Sequence, residues 1–200
     1  MQKAISVLAV GTLLVMLFGG AASAGAGGLI GTPGDDKMVG TDAAAGDTMA
    51  ALGGRDTVDA RGGRDLVFGG PGDDGGMDGP ALYGDSPDHE TDSSLDGDDA
   101  VRGGPGSDAL HGFGGDDLLA GGTGNDRVFA GEDRFDPRGP MVPTENPGED
   151  AVRGGPGNDF VFAADGHADE IDCGGGARDS AHFDLGLDIV RGCEIQNRGT

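Results

Sequence analysis

Between residues 97 and 129 the chain carries one aliphatic residue at every ninth position. Val101, Leu110, Leu119 and Val128 each stand two places after an aspartate, the four being Asp99, Asp108, Asp117 and Asp126. The stretches between are glycine-rich turns, GGPGSD, GFGGDD and GGTGND. Each unit thus reads as a turn, an Asp and a short strand of the form D-x-U-x, with U aliphatic. Side chains alternate across a strand, so U faces inward while its neighbours face out.

The same phasing runs through most of the chain. Upstream, Asp47, Asp56 and Asp65 are followed by Met49, Val58 and Val67, but Asp74 is followed by Gly76. Asp36 with Met38 is an earlier unit, out of step by two residues. Downstream come a shortened unit with Asp133 and Phe135, then Asp150/Val152 and Asp159/Val161. The interval then stretches through Asp169/Ile171 and Asp179/Ala181, and the pattern ends at Asp188/Val190. Two segments break it. Residues 75–96 are polar, apart from a degenerate unit at ALYG, and residues 137–147 hold four prolines, which cannot donate to a strand ladder. The organisation is therefore a first block at 31–74, a loop at 75–96, a second block at 97–136, a Pro-rich loop at 137–147, and a third block with a terminal cap at 148–195. No unit buries its strand alone, so the units stack, two to a coil, as a flattened all-β solenoid.

Composition sharpens this. Gly 44 and Pro 10 make up more than a quarter of the 200 residues, with no Trp and one Tyr. Without a period such a composition indicates disorder; with one it indicates a repeat array. The formal net charge of −23 excludes nucleic acid and anionic membrane as partners and favours cations.

The first 24 residues are different. Lys3, the apolar run 4–18 and Ala22-Ser23-Ala24 have the layout of a secretory leader cleaved after Ala24. The run is short for a membrane span, which takes about 20 apolar residues. A secreted, extracellular protein without membrane insertion is the expectation.

GGPGSDALH and GGTGNDRVF resemble the GGxGxDxUx nonapeptide of the RTX (repeats-in-toxin, hemolysin-type) calcium-binding proteins, closest over 97–129 and 148–162. Phe113 departs from the pattern, standing where the motif has Gly. The resemblance implies a parallel β-roll with Ca2+ held between turns on the same edge of successive coils. It implies paired Asp47 with Asp65, Asp56 with Asp74, Asp99 with Asp117, and Asp108 with Asp126. Asp150 and Asp159 begin a further run whose downstream partners are out of phase. The turn glycines that would offer carbonyls are Gly104, Gly106, Gly115, Gly122, Gly124, Gly155 and Gly157. Calcium is a hard cation that takes six to eight oxygens with tolerant geometry, which suits such turns. Arg55, Arg64 and Arg178 immediately precede an Asp; a guanidinium there would replace an ion and leave a structural coil.

Cys173 and Cys193 are 20 apart, close to one coil, so a disulfide is expected; a metal site or two free thiols are the alternatives. No catalytic motif stands out. His89, His111, His167 and His182 are scattered, HExxH and GxSxG are absent, and Ser107 occupies a variable turn position. The chain reads as a calcium-binding protein and not an enzyme. The second reading is an interaction or envelope protein whose loops recognise a cell-surface or glycan partner. The third is a solenoid that needs no calcium.

Overall fold

The structure, a computed structural model, describes residues 28–42, 44–75, 81–85, 96–131 and 148–198, with the backbone of Leu13–Val15 and Ala21–Ser23. The rest of the leader, residues 86–95, the Asp133 unit and the Pro-rich loop lie outside the described residues.

The described residues form strands and turns only. In chain order the strands are β1 Leu13–Val15, β2 Ala21–Ser23, β3 Gly28–Ile30, β4 Lys37–Thr41, β5 Thr48–Ala50, β6 Thr57–Arg61, β7 Leu66–Phe68, β8 Leu82–Tyr83 and β9 Ala100–Pro105. They continue as β10 Ala109–His111, β11 Leu118–Thr123, β12 Arg127–Phe129, β13 Ala151–Pro156, β14 Phe160–Ala163, β15 Glu170–Gly175, β16 Ser180–Phe183, β17 Ile189–Arg191 and β18 Ile195–Arg198. Odd strands make one nine-stranded sheet and even strands another, and every pairing is parallel. Each coil therefore contributes one strand to each sheet. The two sheets face each other as an all-β parallel roll, built as the repeat implied.

The core is thin, a row of U residues with smaller residues such as Ala51, Ala60, Ala130 and Ala163 beside it. Met38, Met49, Val58, Val67, Val101, Leu110, Leu119, Val128, Val152, Val161, Ile171 and Ala181 are fully buried. All sit two places after an aspartate and pair with their counterparts in register, as Val101 does with Leu119 and Leu110 with Val128. The thin core explains how so few aromatic residues suffice. Gly76 breaks the pattern, and Leu82 takes the inward place instead, in register with Val58 and Leu110. ALYG is thus a full member of the stack.

The interruptions do not split the roll. Val67 pairs directly with Val101, and Leu119 with Val152. The chain leaves and rejoins at the same rung. At the far end the stack runs one strand beyond Val190, with Ser180 to Phe183 pairing with Ile195 to Arg198.

Phe113 adopts φ +80, as does the glycine it replaces in neighbouring units, Gly104 at +126 and Gly122 at +117. A left-handed conformation costs a side-chain-bearing residue about 1–2 kcal/mol. Phe113 is buried and stacks 5.9 Å from Tyr83 and 5.7 Å from His111. Burying a Phe contributes about 1.5–3 kcal/mol, enough to offset the strain. His111 continues onto Phe129 at 4.5 Å, and His182 stacks on Phe162 at 4.9 Å. Two of the scattered histidines thus belong to aromatic stacks on the outer face of the even sheet.

Cys173 and Cys193 form a disulfide with Cα atoms 5.2 Å apart, which closes the last coil. Because each coil touches only its neighbours, the bond acts locally. Replacing both cysteines by serine should cost roughly 3 kcal/mol. Hydrogen exchange should then speed up in Glu170–Gly175 and Ile189–Arg191 and stay unchanged in Ala100–Pro105. Uniform loss of protection along the roll would contradict this.

Candidate metal sites

Each turn ends on an aspartate whose side chain points back into the stack. The backbone N–H of one ladder Asp donates to Oδ1 of the Asp one coil further on. Asp47 donates to Asp65 at 2.5 Å, Asp56 to Asp74 at 2.9 Å, Asp99 to Asp117 at 2.9 Å and Asp108 to Asp126 at 2.9 Å, each 18 residues apart. These are the four pairs read from the repeat. The ladder also crosses the insertions, from Asp65 to Asp99 at 2.7 Å and Asp74 to Asp108 at 2.8 Å, then Asp117 to Asp150 at 2.8 Å and Asp126 to Asp159 at 2.9 Å. Asp150 and Asp159 find partners after all, in Asp169 and Asp179, because the longer turns absorb the phase slip. Asp169 then donates to Asp188, and Asp179 to Glu194 Oε2 at 2.9 Å. One column runs along each edge of the roll.

The second oxygen is the chemically informative one. Oδ2 of Asp56, Asp65, Asp74, Asp99, Asp108, Asp117, Asp126, Asp150, Asp159, Asp169 and Asp179 is buried and accepts no hydrogen bond. A buried, unpaired carboxylate oxygen is costly. The glycines account for its placement. A Cβ at Gly103, Gly112, Gly121 or Gly154 would run into Oδ2 of Asp108, Asp117, Asp126 or Asp159. A Cβ at Gly106, Gly124 or Gly157 would strike the carbonyl oxygen of Gly72, Gly106 or Gly124 in the adjacent coil. On the other edge, Gly115 abuts the Gly97 carbonyl and Gly148 the Gly115 carbonyl. Each edge is thus a column of backbone carbonyls beside a column of desolvated carboxylates. Oxygen is the only donor type there, which fits a hard divalent ion.

Charge follows from burial. Desolvation, first, and repulsion between neighbouring rungs raise Asp99 and Asp150 to about 8, against the N–H bond each accepts, which lowers them. Asp169 also reaches about 8, Asp65 and Asp108 about 7, and Asp56 and Asp126 about 6, again chiefly through desolvation. Asp117 is driven well above the usual carboxylate range by the same cause.

The first turns are built differently. Oδ2 of Asp36 accepts from the Thr32 N–H at 2.5 Å and the Thr32 hydroxyl at 2.9 Å. Oδ2 of Asp47 accepts from the Thr41 N–H at 2.7 Å and the Thr41 hydroxyl at 3.0 Å. Here the protein supplies the donors that the interior turns lack. The arginines do not. Oδ2 of Asp56, Asp65 and Asp179 stays unpartnered beside Arg55, Arg64 and Arg178. Arg64 reaches outward to exposed Asp98 at 3.9 Å. A guanidinium in place of an ion is therefore not what these coils contain.

A ladder that sequence reading passed over lies just outside the first. The residues before Asp74, Asp99, Asp108, Asp117, Asp126 and Asp159 are short and polar, and each accepts from the next coil. The Ser107 N–H donates to Asp73 Oδ1 at 2.9 Å, and the Asn158 N–H to Asn125 Oδ1 at 2.8 Å. On the other edge Glu149 N–H donates to Asp116 Oδ1 at 2.9 Å. Ser107 serves this exposed column through its N–H and its Oγ, which accepts from the Asn125 N–H at 3.4 Å. Asp85 was also missed. It is fully buried, raised to about 10 by desolvation and then by Asp99 and Asp96, and its Oδ2 accepts from the Gly97 N–H at 3.2 Å.

A family model for the RTX calcium-binding nonapeptide repeat, in four copies, matches residues 43–75, 94–134 and 146–179, more than half of the chain. The chain belongs to that family. RTX nonapeptide repeats bind Ca2+. The chain matches no curated protein and no solved structure. Among the described residues no helix is long and apolar enough to cross a membrane.

The raised carboxylates set a pH dependence for the metal-free roll. Their folded pKa values lie above the unfolded value of about 3.9, so the folded chain binds more protons between those limits and loses stability as pH rises through them. Stripped of metal over a chelating resin, the RTX roll should melt at a lower temperature at pH 8 than at pH 5.5. Thermal circular dichroism at several pH values checks this, and a melting temperature that climbs with pH would contradict it.

Proposed function

We propose that this chain is an exported calcium-binding protein whose roll completes its fold as its edge turns load with Ca2+. The observation that supports this best is the column of buried Oδ2 atoms without donors, beside stacked glycine carbonyls. The ligands would be the carboxylates of Asp56, Asp65, Asp74, Asp99, Asp108, Asp117, Asp126, Asp150 and Asp159. Carbonyls of the turns that contain Gly104, Gly106, Gly115, Gly122, Gly124, Gly155 and Gly157 would complete the shells. Asp47 has its second carboxylate oxygen occupied by Thr41 and is left out of this ligand set.

In this reading the protein's residues have separate tasks. The N–H of each Asp fixes the next carboxylate's rotamer through Oδ1. The glycines let adjacent turns approach until carbonyl and carboxylate converge. The aliphatic U residues hold the sheets at the spacing that keeps both edges in register. Bound calcium supplies the positive charge that a chain of net charge −23 otherwise lacks along its edges. An ion that binds only the folded form stabilises it by mass action. Extracellular calcium modules bind at roughly 10⁻⁴–10⁻³ M, so folding would follow export. Lys3, the apolar run 4–18 and Ala22-Ser23-Ala24 support export through a cleaved leader. N-terminal sequencing of protein from the culture medium should begin at Gly25; a retained Lys3 would end the leader assignment.

Asp117→Asn separates a ligand from a merely structural carboxylate. The amide keeps an acceptor for the Asp99 N–H but removes a buried charge. In chelator the variant should melt at a higher temperature than the parent. Its calcium midpoint, followed by far-UV circular dichroism with magnesium as control, should rise about threefold to tenfold. A midpoint equal to the parent's would remove Asp117 from the ligand set. A parent chain fully folded in chelator and indifferent to calcium would remove the reading itself.

A further inference from the structure

One coil departs from the regular turn and brings a third carboxylate to the edge. Four places before the ladder Asp, ordinary turns carry a left-handed glycine, as at Gly104, Gly122 and Gly155. Before Asp169 that place holds Asp165, in a turn one residue longer than that of the regular nine-residue unit. One carboxylate oxygen from each of Asp150, Asp165 and Asp169 lies within 4.8 Å of the other two.

The three carboxylates are held in the same way. Asp150 Oδ1 accepts from the Asp117 N–H at 2.8 Å, Asp169 Oδ1 from the Asp150 N–H at 2.9 Å, and Asp165 Oδ1 from the His167 N–H at 2.9 Å. Oδ2 of all three is buried and has no donor. Asp150 and Asp169 are each 2% exposed, so bulk water has little access to their oxygens. Each side chain is thus fixed through one oxygen and offers the other. Asp184 and Asp188 border the group but are already engaged. Asp184 Oδ2 accepts from the Gly166 N–H at 2.7 Å, and Asp188 Oδ2 from the Asp184 N–H at 2.6 Å. They add negative field beside Asp169.

We propose that Asp150, Asp165 and Asp169 form a three-carboxylate site for one hard divalent cation, with Asp165 as a ligand outside the nonapeptide motif. The site takes calcium in preference to magnesium, because its donors come from a ladder and an irregular turn, not from an octahedral cage. It shares Asp150 and Asp169 with the columns described above, so it rests on the reading that those columns take calcium. A regular turn of this roll brings one ladder carboxylate from each of two coils. This place adds a third, and carboxylate count tunes calcium affinity. The site therefore fills about tenfold tighter than the regular turns and loads first.

Calorimetric titration of the purified chain with calcium tests this. The parent should show one equivalent of ion in a tighter class, followed by the weaker turns. Asp165→Asn, which keeps the acceptor for the His167 N–H, should lose that class alone. Asp108→Asn should lower the weaker class and keep the tight one. An Asp165→Asn isotherm that overlays the parent's, with calcium still bound, overturns the triad and leaves the repeat reading intact. Absence of calcium binding in the parent overturns both. Should Asp165→Asn fail to fold, crystals of the parent soaked in terbium decide the matter. An anomalous peak among the three Oδ2 atoms is expected, and peaks confined to the regular turns would overturn the site.

Discussion

The structure depends on one hydrogen bond repeated along two edges, from the amide of one aspartate to Oδ1 of the aspartate a coil away. It fixes the rotamer of every ladder carboxylate and thereby the direction of its second oxygen. That oxygen has nowhere to find a donor, because the glycines that would otherwise fill the space have been kept small for it. The same geometry that aligns the coils therefore accumulates desolvated negative charge down each edge. Backbone order and cation demand are two results of a single contact.

Much of this was legible in the sequence, because two residue classes kept phase. The aliphatic column named the U positions of the core from Met38 to Ala181 with one lapse, though not Leu29 or the second inward row at Ala51, Ala60, Ala130 and Ala163, and the interval between like turns named the Asp pairs. The lapse is instructive. Leu82 showed only within a degenerate unit, because the interruption falls between Asp74 and its strand, so the inward residue comes eight places after the aspartate instead of two. Glu194 was hidden because a longer side chain does the work of Asp there. Thr32 and Thr41 carried no repeat signal at all, since a hydroxyl matters there only in three dimensions. The arginines misled for a related reason. Adjacency along the chain suggested pairing, yet alternation turns the residue before a buried Asp toward solvent. The exposed Asp, Ser and Asn column was visible as composition but not as structure, because any short acceptor suffices.

The ends and the middle of the ladder obey different rules. Interior rungs have neighbours on both sides and an unpaired oxygen; the first rungs are completed by threonine. In the turns of Asp36 and Asp47 the second carboxylate oxygen is served by protein alone. In a stack where each coil contacts only its neighbours, such a turn is a place from which order can spread. The disulfide provides the corresponding restraint at the other end.

The interrupted register has an architectural meaning. A rung is defined by the coil beneath it, so the route the chain takes between rungs is free. Like turns are separated by 18 residues at Asp99 and Asp117 but by 34 at Asp65 and Asp99, with the same bond between them. Loop-closure entropy grows only with the logarithm of length, so nearly doubling the path costs about 0.6 kcal/mol. The roll behaves as a rack with open slots. Segments can be lengthened, exchanged or decorated at these two exits while the frame that holds them stays in place.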